Sequence, residues 1–380
     1  MEYTTTQLVA FVFIIIAILF LYGLGNFYIY RSLLPLGVDR RVLGIVIFLL
    51  GISFPLAMTL VRFMPGPPAK LLAFTGYYYL GLGMYLIILF AAADVVLLLG
   101  RGSGLLSREG ITSLKRGLVP SLLLLSLVIT VYGALQARSV GIRQEEVELE
   151  GRGNPGQDLD IVFVSDVHLG VTTEERFLQD LVDKIRSLEP DMVIFGGDLL
   201  DRSADEVKDR GYEEILSTLA PPLGVYAITG NHEYFGGVEK SLEFMRKSGI
   251  QVLRDSAVRK GGLLIVGRRD PTAERFGFRR TPLAELLVDR GPEPVVVLDH
   301  TPMDLSESKK EKVDLQLSGH THRGQMVPAN LVTALMFELD YGKMKEGKTT
   351  FIVSSGAGTW GPPLRVGTGS EIIHLKILFR

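Results

Sequence analysis

Hydrophobic and polar positions divide this chain into two unlike parts. Through residue 140 the apolar positions come in long runs. Leu8–Tyr30 holds 23 residues without a charge, enough to cross about 30 Å of hydrocarbon at about 1.5 Å per residue. Further runs of spanning length fit Val42–Val61, part of Leu71–Gly100, and Gly117–Leu135. Four such lengths in so short a stretch predict an all-α bundle of four transmembrane helices over 1–140, not the core helices of a soluble domain. Met1–Glu2 gives no basic start, and the first run is longer than a cleavable signal needs, so it reads as a retained span.

Beyond residue 140 the apolar runs shorten and alternate with helical spacing. Residues 141–157 gather Glu145, Glu146, Glu148 and Glu150, then Gly151, Gly153, Asn154, Pro155 and Gly156, and read as a short charged strand or linker. Strands are expected at Ile161–Ser165, Met192–Phe195, Gly224–Thr229, Val295–Leu298 and Leu315–Ser318. Helices are expected over about Thr173–Leu188, Glu206–Leu219 and Val238–Ser248. A Gly261–Gly262 turn joins Ala257–Lys260 to Leu263–Gly267, and Thr349–Val353 and Glu371–Phe379 form a β-rich tail. Strand–helix alternation followed by further strands predicts an α/β domain over 158–380, with one sheet packed on a second.

Charge follows the same division. Residues 1–140 carry ten Lys/Arg and four acids, a net of +6, and the remainder carries 30 bases and 38 acids, a net of −8. An acidic second part argues against nucleic acid as a partner, since phosphate backbones need basic surface. The absence of cysteine excludes disulfides, zinc-thiolate sites and thiol catalysis. Lys and Arg number seven in the first and third loops together, against four in the second loop and the segment after the fourth span. Positive charge favours the cytoplasmic side, so this count predicts a cell-membrane protein whose 158–380 domain is extracytoplasmic. Asp94, the one acid inside a span, lies seven residues before Arg101 and reads as an interfacial carboxylate paired with a loop Arg.

Chemistry collects where the predicted strands end, the usual ligand-binding edge of α/β folds. Asp166 and His168 follow the first strand; Asp198 and Asp201 follow the second; Asn231, His232 and Glu233 follow the third. His300 follows a fourth strand, and His320 and His322 follow a fifth. Singly, each has an ordinary reading as a turn former, cap or surface residue. Together they place five of the chain's six His beside Asp and Asn at five successive strand ends, which is the composition of a metal site. Imidazole mixed with oxygen ligands suits Mn, Fe, Zn or Co better than calcium. His374, in the last strand, reads as an ordinary polar position.

The succession Asp-x-His, Gly-Asp-x-x-Asp, Gly-Asn-His-Glu, His, Gly-His-x-His resembles the calcineurin-like metallophosphoesterases, closest to the transmembrane proteins with a metallophosphoesterase domain. The resemblance runs from about Asp158 to the C-terminus and includes the late GAGTWGPPLR segment. It implies a four-layer α/β/β/α sandwich and two divalent ions. It gives Asp166, His168 and His322 to one ion and Asn231, His300 and His320 to the other, with Asp198 bridging both. Two ions in this family activate a shared water that attacks phosphorus without a covalent enzyme intermediate. His232 resembles the family's non-ligand His, which stabilises the transition state or protonates the leaving group, and Asp201 the carboxylate that orients it.

Fold does not name the substrate. The resemblance implies a phosphomonoesterase or phosphodiesterase, with a lipid phosphate at the membrane surface among its candidate substrates. An alternative is a UDP-2,3-diacylglucosamine-type pyrophosphatase of lipid A synthesis; the cytosolic enzyme of that pathway has Arg where this chain has His232, though membrane-tethered relatives keep His. A metal-bound scaffold without activity is disfavoured because every ligand position is filled. Two segments stand outside the motif. Arg268, Arg269, Arg275, Arg279 and Arg280 cluster with Phe276 and Phe278, as a solvated loop or a headgroup contact. Ala329–Asp340 sets Leu331, Val332, Leu335, Met336 and Leu339 at helical spacing, as a core helix or an apolar wall beside the metals.

Overall fold

The computed structural model describes residues 5–63, 66–149 and 158–380. These fall into two compact units. One comprises Met1–Leu135 with Gly361–Leu364, the other Gln136–Trp360 with Arg365–Arg380.

The first unit is built on helices α1 (Thr5–Leu33), α2 (Arg40–Leu60), α3 (Pro67–Gly102) and α4 (Arg108–Arg138). Each is long and apolar enough to cross a membrane. Asp39 caps α2, its carboxylate accepting from the N–H groups of Arg41 and Val42. A small core of Ile29, Leu43, Ile47, Leu86 and Phe90 holds the bundle, while large apolar side chains such as Phe20, Phe48 and Val96 stand 64–66% exposed. Asp94 is paired, though not with a loop Arg. Lys115 of α4 sits 2.7 Å away, and Tyr28 Oη donates to it at 2.9 Å. The reason is helical geometry: α3 continues to Gly102, which carries Arg101 about 10 Å farther along the axis at about 1.5 Å per residue.

The second unit is a sandwich of two six-stranded sheets. The first sheet, in spatial order, is β1 (Val140–Leu149), β12 (Ser370–Phe379), β2 (Leu159–Val164), β3 (Met192–Phe195), β4 (Val225–Ala227) and β5 (Gln251–Val252). The second is β10 (Gly342–Glu346), β11 (Thr349–Val353), β9 (Leu315–Ser318), β8 (Val295–Leu298), β7 (Leu263–Gly267) and β6 (Ser256–Lys260). Strands β2 to β5 run parallel, as do β7, β8, β9 and β11.

Alternation along each strand builds the layers. Leu159, Ile161 and Phe163 of β2 meet Leu263 and Ile265 of β7 in the core between the sheets. Val162 and Val164 face the other way, into a core shared with α5 (Glu175–Ser187), α6 (Tyr212–Ser217) and α8 (Val238–Lys247). Leu264 and Val266 of β7 pack on α9 (Leu283–Leu286). This is the expected α/β/β/α order. Short helices α7 (Asn231–Gly236), α10 (Ser306–Lys310) and α11 (Ala329–Met336) complete the unit.

Three expectations change. Of the two readings for 141–157, residues 141–149 take the strand and not the linker: they form most of β1, paired parallel with β12 from Val140↔Ser370 to Leu149↔Phe379, with Val147 and Leu149 buried. The second unit therefore begins at Gln136 instead of residue 158, and 150–157 lie outside the described residues. The helix expected over Glu206–Leu219 is interrupted, because Asp209 and Gly211 adopt left-handed φ of 62° and 69°. In the arginine-rich loop, Arg268 and Arg280 pair with Asp299, Arg269 with Asp255, and Arg279 with Glu285, so most of its charge is spent inside the unit.

Candidate metal centre

Five strand ends deliver the site. Asp166 and His168 follow β2, Asp198 follows β3, Asn231 opens α7 after β4, His300 follows β8, and His320 and His322 follow β9. All seven sequence-predicted ligands come together. Asp166 and His300 are fully buried, and His168 and Asp198 are 3% and 2% exposed. Five of the seven hold a left-handed backbone: φ is 56° at Asp166, 51° at His168, 52° at Asp198, 71° at His320 and 49° at His322. Such a conformation is uncommon outside glycine, and it is concentrated in these loops.

The distances describe two adjoining clusters. Asp166 Oδ1 lies 3.3 Å from His322 Nε2 and 3.9 Å from His168 Nε2. Asp198 Oδ2 lies 3.1 Å from His300 Nε2 and 3.9 Å from His168 Nε2, so its carboxylate adjoins both groups. Asn231 Oδ1 meets His320 Nδ1 at 2.9 Å. Close approach requires glycine at two points. A Cβ on Gly230 would fall 2.2 Å from Asp198 Oδ1, and one on Gly319 would fall 1.8 Å from Ser165 Oγ.

Charge balance shows what the cluster fits. Burial opposes the Asp166 carboxylate, but His322, His300 and His168 outweigh it and hold it well below the usual range. Asp198 is lowered in the same way, against burial, by His300 and His232. Burial works against a charged His300, yet Asp198 and Asp166 raise it well above its ordinary value. His322 goes the other way: burial pushes it down to about 4 despite Asp166. His300 Nδ1 faces the Gly196 carbonyl at 2.8 Å and carries a proton; Nε2 faces Asp198 Oδ2 at 3.1 Å, and its proton is the one a metal would displace. That buried Nε2 makes no well-aligned hydrogen bond, and the Nε2 atoms of His168 and His322 face each other at 3.0 Å. Converging lone pairs and buried carboxylates are satisfied together by divalent cations. The residues fit the metals.

His232 and Asp201 stand beside this cluster. Nδ1 of His232 is held by the main-chain carbonyl of Asp201, which leaves Nε2 as the other ring nitrogen available to a substrate. The Asp201 carboxylate is 3.8 Å from that nitrogen but 3.4 Å from His168 Nδ1, so it faces the ligand more closely than His232. The His232 ring packs edge-on against His168 at 4.5 Å and against exposed Phe235 at 6.1 Å. His374 lies outside, paired with Asp160 at 2.9 Å.

Two residues that the sequence placed in motifs without a role support the site. Glu233, fully buried, accepts from the N–H groups of Asp198, Leu200 and Gly230 at 3.0, 3.1 and 2.7 Å, tying two ligand loops together. Burial and the Asp198 carboxylate push its carboxyl up to about 7. Its signal was the capping-box spacing, an acid three residues after Gly230. Arg365, also fully buried, donates to the carbonyls of Ser355, Gly356, Gly358 and His322 at 2.6–3.3 Å. Burial lowers its guanidinium to about 10. It also reaches His322 Nδ1 at 3.3 Å; no spacing rule announces it, because its other four acceptors are main-chain atoms.

Residues 159–324 match the calcineurin-like phosphoesterase family. An uncharacterised metallophosphoesterase of Helicobacter pylori is 36% identical over 225 residues, covering 58% of this chain and 60% of that protein. The matched region thus spans under two thirds of that relative's length. A transmembrane protein with metallophosphoesterase domain from Danio rerio is 30% identical over 316 residues, covering 78% of this chain and 72% of that one. The UDP-2,3-diacylglucosamine pyrophosphatase LpxG of Chlamydia trachomatis is 27% identical over 283 residues, covering 58% and 84%. The chain belongs to the calcineurin-like metallophosphoesterases, a family whose members use divalent metals.

Proposed function

We propose that this chain is a membrane-anchored, two-metal phosphoester hydrolase acting on a phosphomonoester or phosphodiester at the membrane surface. The observation that carries the reading is the convergence of seven ligand-type side chains, five on left-handed backbone, around the buried carboxylates of Asp166 and Asp198. Asp166, His168 and His322 would hold one ion and Asn231, His300 and His320 the other, with Asp198 shared. Bound ions of the Mn, Fe, Zn or Co type supply Lewis acidity toward the phosphoryl oxygens and lower the pKa of water.

The chain's own residues do the rest. Ser165 Oγ donates to Asp166 Oδ2 at 2.5 Å, and the His320 N–H donates to the same carboxylate, fixing its orientation. His232 keeps Nδ1 on the Asp201 carbonyl and presents Nε2 to the substrate. As an oxygen from water bonds to phosphorus and the ester P–O bond breaks, Nε2 passes its proton to the departing alkoxide. Asp201 positions His232 through its carbonyl and His168 through its carboxylate.

The four apolar helices supply the anchor. The loop Lys/Arg count supports placing the catalytic unit outside the cytoplasm. The chain contains no cysteine, so a single one introduced in 150–157 reports on sidedness. It should react with an impermeant maleimide on intact cells, and reaction only after lysis would reverse the orientation. The match to LpxG favours a second reading, cleavage of a diphosphate linkage. Protein reconstituted with Mn or Zn, given monoesters, diesters and nucleoside diphosphate esters, separates the two. Metal-dependent release of phosphate or alcohol supports the first, and preference for diphosphates the second. No turnover of any class by metal-loaded protein would refute both.

A further inference from the structure

Helix α11 reads Ala-Asn-Leu-Val-Thr-Ala-Leu-Met, without a charge, and none of its residues is buried. Leu331, Val332, Leu335 and Met336 are 62%, 55%, 88% and 60% exposed. Val327 just before it is 39% exposed, and Trp360, the only tryptophan in the chain, is 58% exposed. The backbone N–H and C=O of Trp360 both bond to the Gln325 side chain, at 2.8 and 2.9 Å, which fixes the indole-bearing segment to the one that leads into α11. These six make up most of the eleven exposed large apolar side chains among the described residues of the second unit. A surface helix ordinarily buries an apolar stripe, and a patch this concentrated marks an interaction surface.

The patch is joined to the metal centre. Asp340 accepts from Thr321 beside His322 and from Thr333 within α11, at 2.6 and 2.8 Å. Phe337, which caps α11, packs edge-on against His320 at 6.0 Å. A molecule lying along α11 is therefore led to the ligand loops.

Connectivity says what covers it. Ser139 alone separates the end of α4 from the start of β1. The last apolar helix thus runs within a residue of the first strand of the phosphoesterase unit, which tethers that unit at the bilayer surface. Tryptophan favours the bilayer interface. Exposed Arg323 on the same ligand loop, its guanidinium 4.5 Å from the Tyr341 ring, offers a cation to anionic headgroups.

We propose that α11 and Trp360 form a lipid-contact surface that seats acyl chains of a membrane phospholipid whose phosphoryl group reaches the metal centre. The proposal rests on the membrane-anchored hydrolase reading and names its substrate class as acylated phosphoesters. Val327, Leu331 and Leu335 take the hydrocarbon, Trp360 marks the interface, and Arg323 meets the headgroup.

Trp360 is its own reporter. The full-length protein is placed in nanodiscs of phosphatidylcholine and phosphatidylglycerol, with or without bromine on the acyl chains. Brominated lipid should quench the emission and aqueous iodide should not. L335S/M336S should reduce the bromine quenching by about half or more. Quenching by iodide alone in incorporated protein overturns the lipid surface and leaves the hydrolase reading standing. Shielding from both quenchers also overturns it, because protein, such as a second copy, would then cover the face. Protein that stays out of the discs overturns the anchored reading as well. In a second arm, kcat/KM for phosphatidic acid is divided by that for glycerol 3-phosphate, and phosphatidylglycerol by glycerophosphoglycerol. L335S/M336S should lower at least one ratio about tenfold; unchanged ratios contradict the proposal.

Discussion

The two units bury polar groups to opposite ends. In the helical unit they satisfy one another. Tyr79 Oη donates to Asn26 Oδ1 at 2.6 Å, Asn26 donates to the Tyr22 carbonyl at 2.9 Å, and Asp94 is met by Lys115 and Tyr28. Among the described residues, no non-glycine position there has a positive φ. In the phosphoesterase unit eleven do, five of them candidate ligands, and buried His300 Nε2 makes no well-aligned hydrogen bond. A polar group buried for structure is paired in a relaxed backbone, whereas one buried for binding is held in readiness at a cost the rest of the fold must cover. Only the second unit should therefore respond to metals.

The largest expected effect follows from the shared position of Asp198. Asp198→Ala should remove nearly all hydrolysis, while the helical content of the first unit, followed by circular dichroism, stays unchanged. Loss of helix along with activity would mean the two units are not independent in this respect. His232→Ala should cost roughly 10²–10⁴ in rate on alkyl phosphates and much less on nitrophenyl phosphates, whose leaving group needs no proton. Metal content should be retained. Equal losses on both substrates would indicate that His232 works by positioning.

Glu233→Gln tests whether the loops are braced as described. One carboxylate oxygen becomes an NH2 that cannot accept, so at least one of the three N–H bonds is lost, and metal affinity should fall roughly 10–100-fold in competition with a chelator. Unaltered affinity would show that the brace is dispensable. The smallest effect is a proton count. His300 is raised well above its ordinary value by Asp198 and Asp166, and must lose its proton to bind metal. Metal affinity should therefore rise as pH increases through neutrality, with proton release seen by calorimetry in buffers of different ionisation enthalpy. An affinity independent of pH would remove His300 from the ligand set.

Much of this was legible in the sequence, for local reasons. β3, β8, β9 and β11 match their expected bounds because each is a short apolar run cut off by turn residues. The ligands showed because imidazoles and carboxylates recur just after those runs. β1 was read as a charged strand or linker although Val147 and Leu149 alternate with Glu146 and Glu148. Its partner β12 is about 230 residues away in sequence, a pairing that no local pattern encodes. β5, at two residues, is too short to carry a period. The braces Glu233 and Arg365 act on main-chain groups brought near by the fold. The apolar spacing of α11 was plain, but spacing alone did not separate a core helix from an exposed one, and the structure leaves its side chains outside.

The proposed centre is built from five strand ends and shared through Asp198. Elemental analysis of purified, metal-reconstituted protein tests it most directly. The wild-type chain should carry two divalent ions and Asp198→Ala essentially none. Two ions per chain in the Asp198→Ala protein would contradict the account.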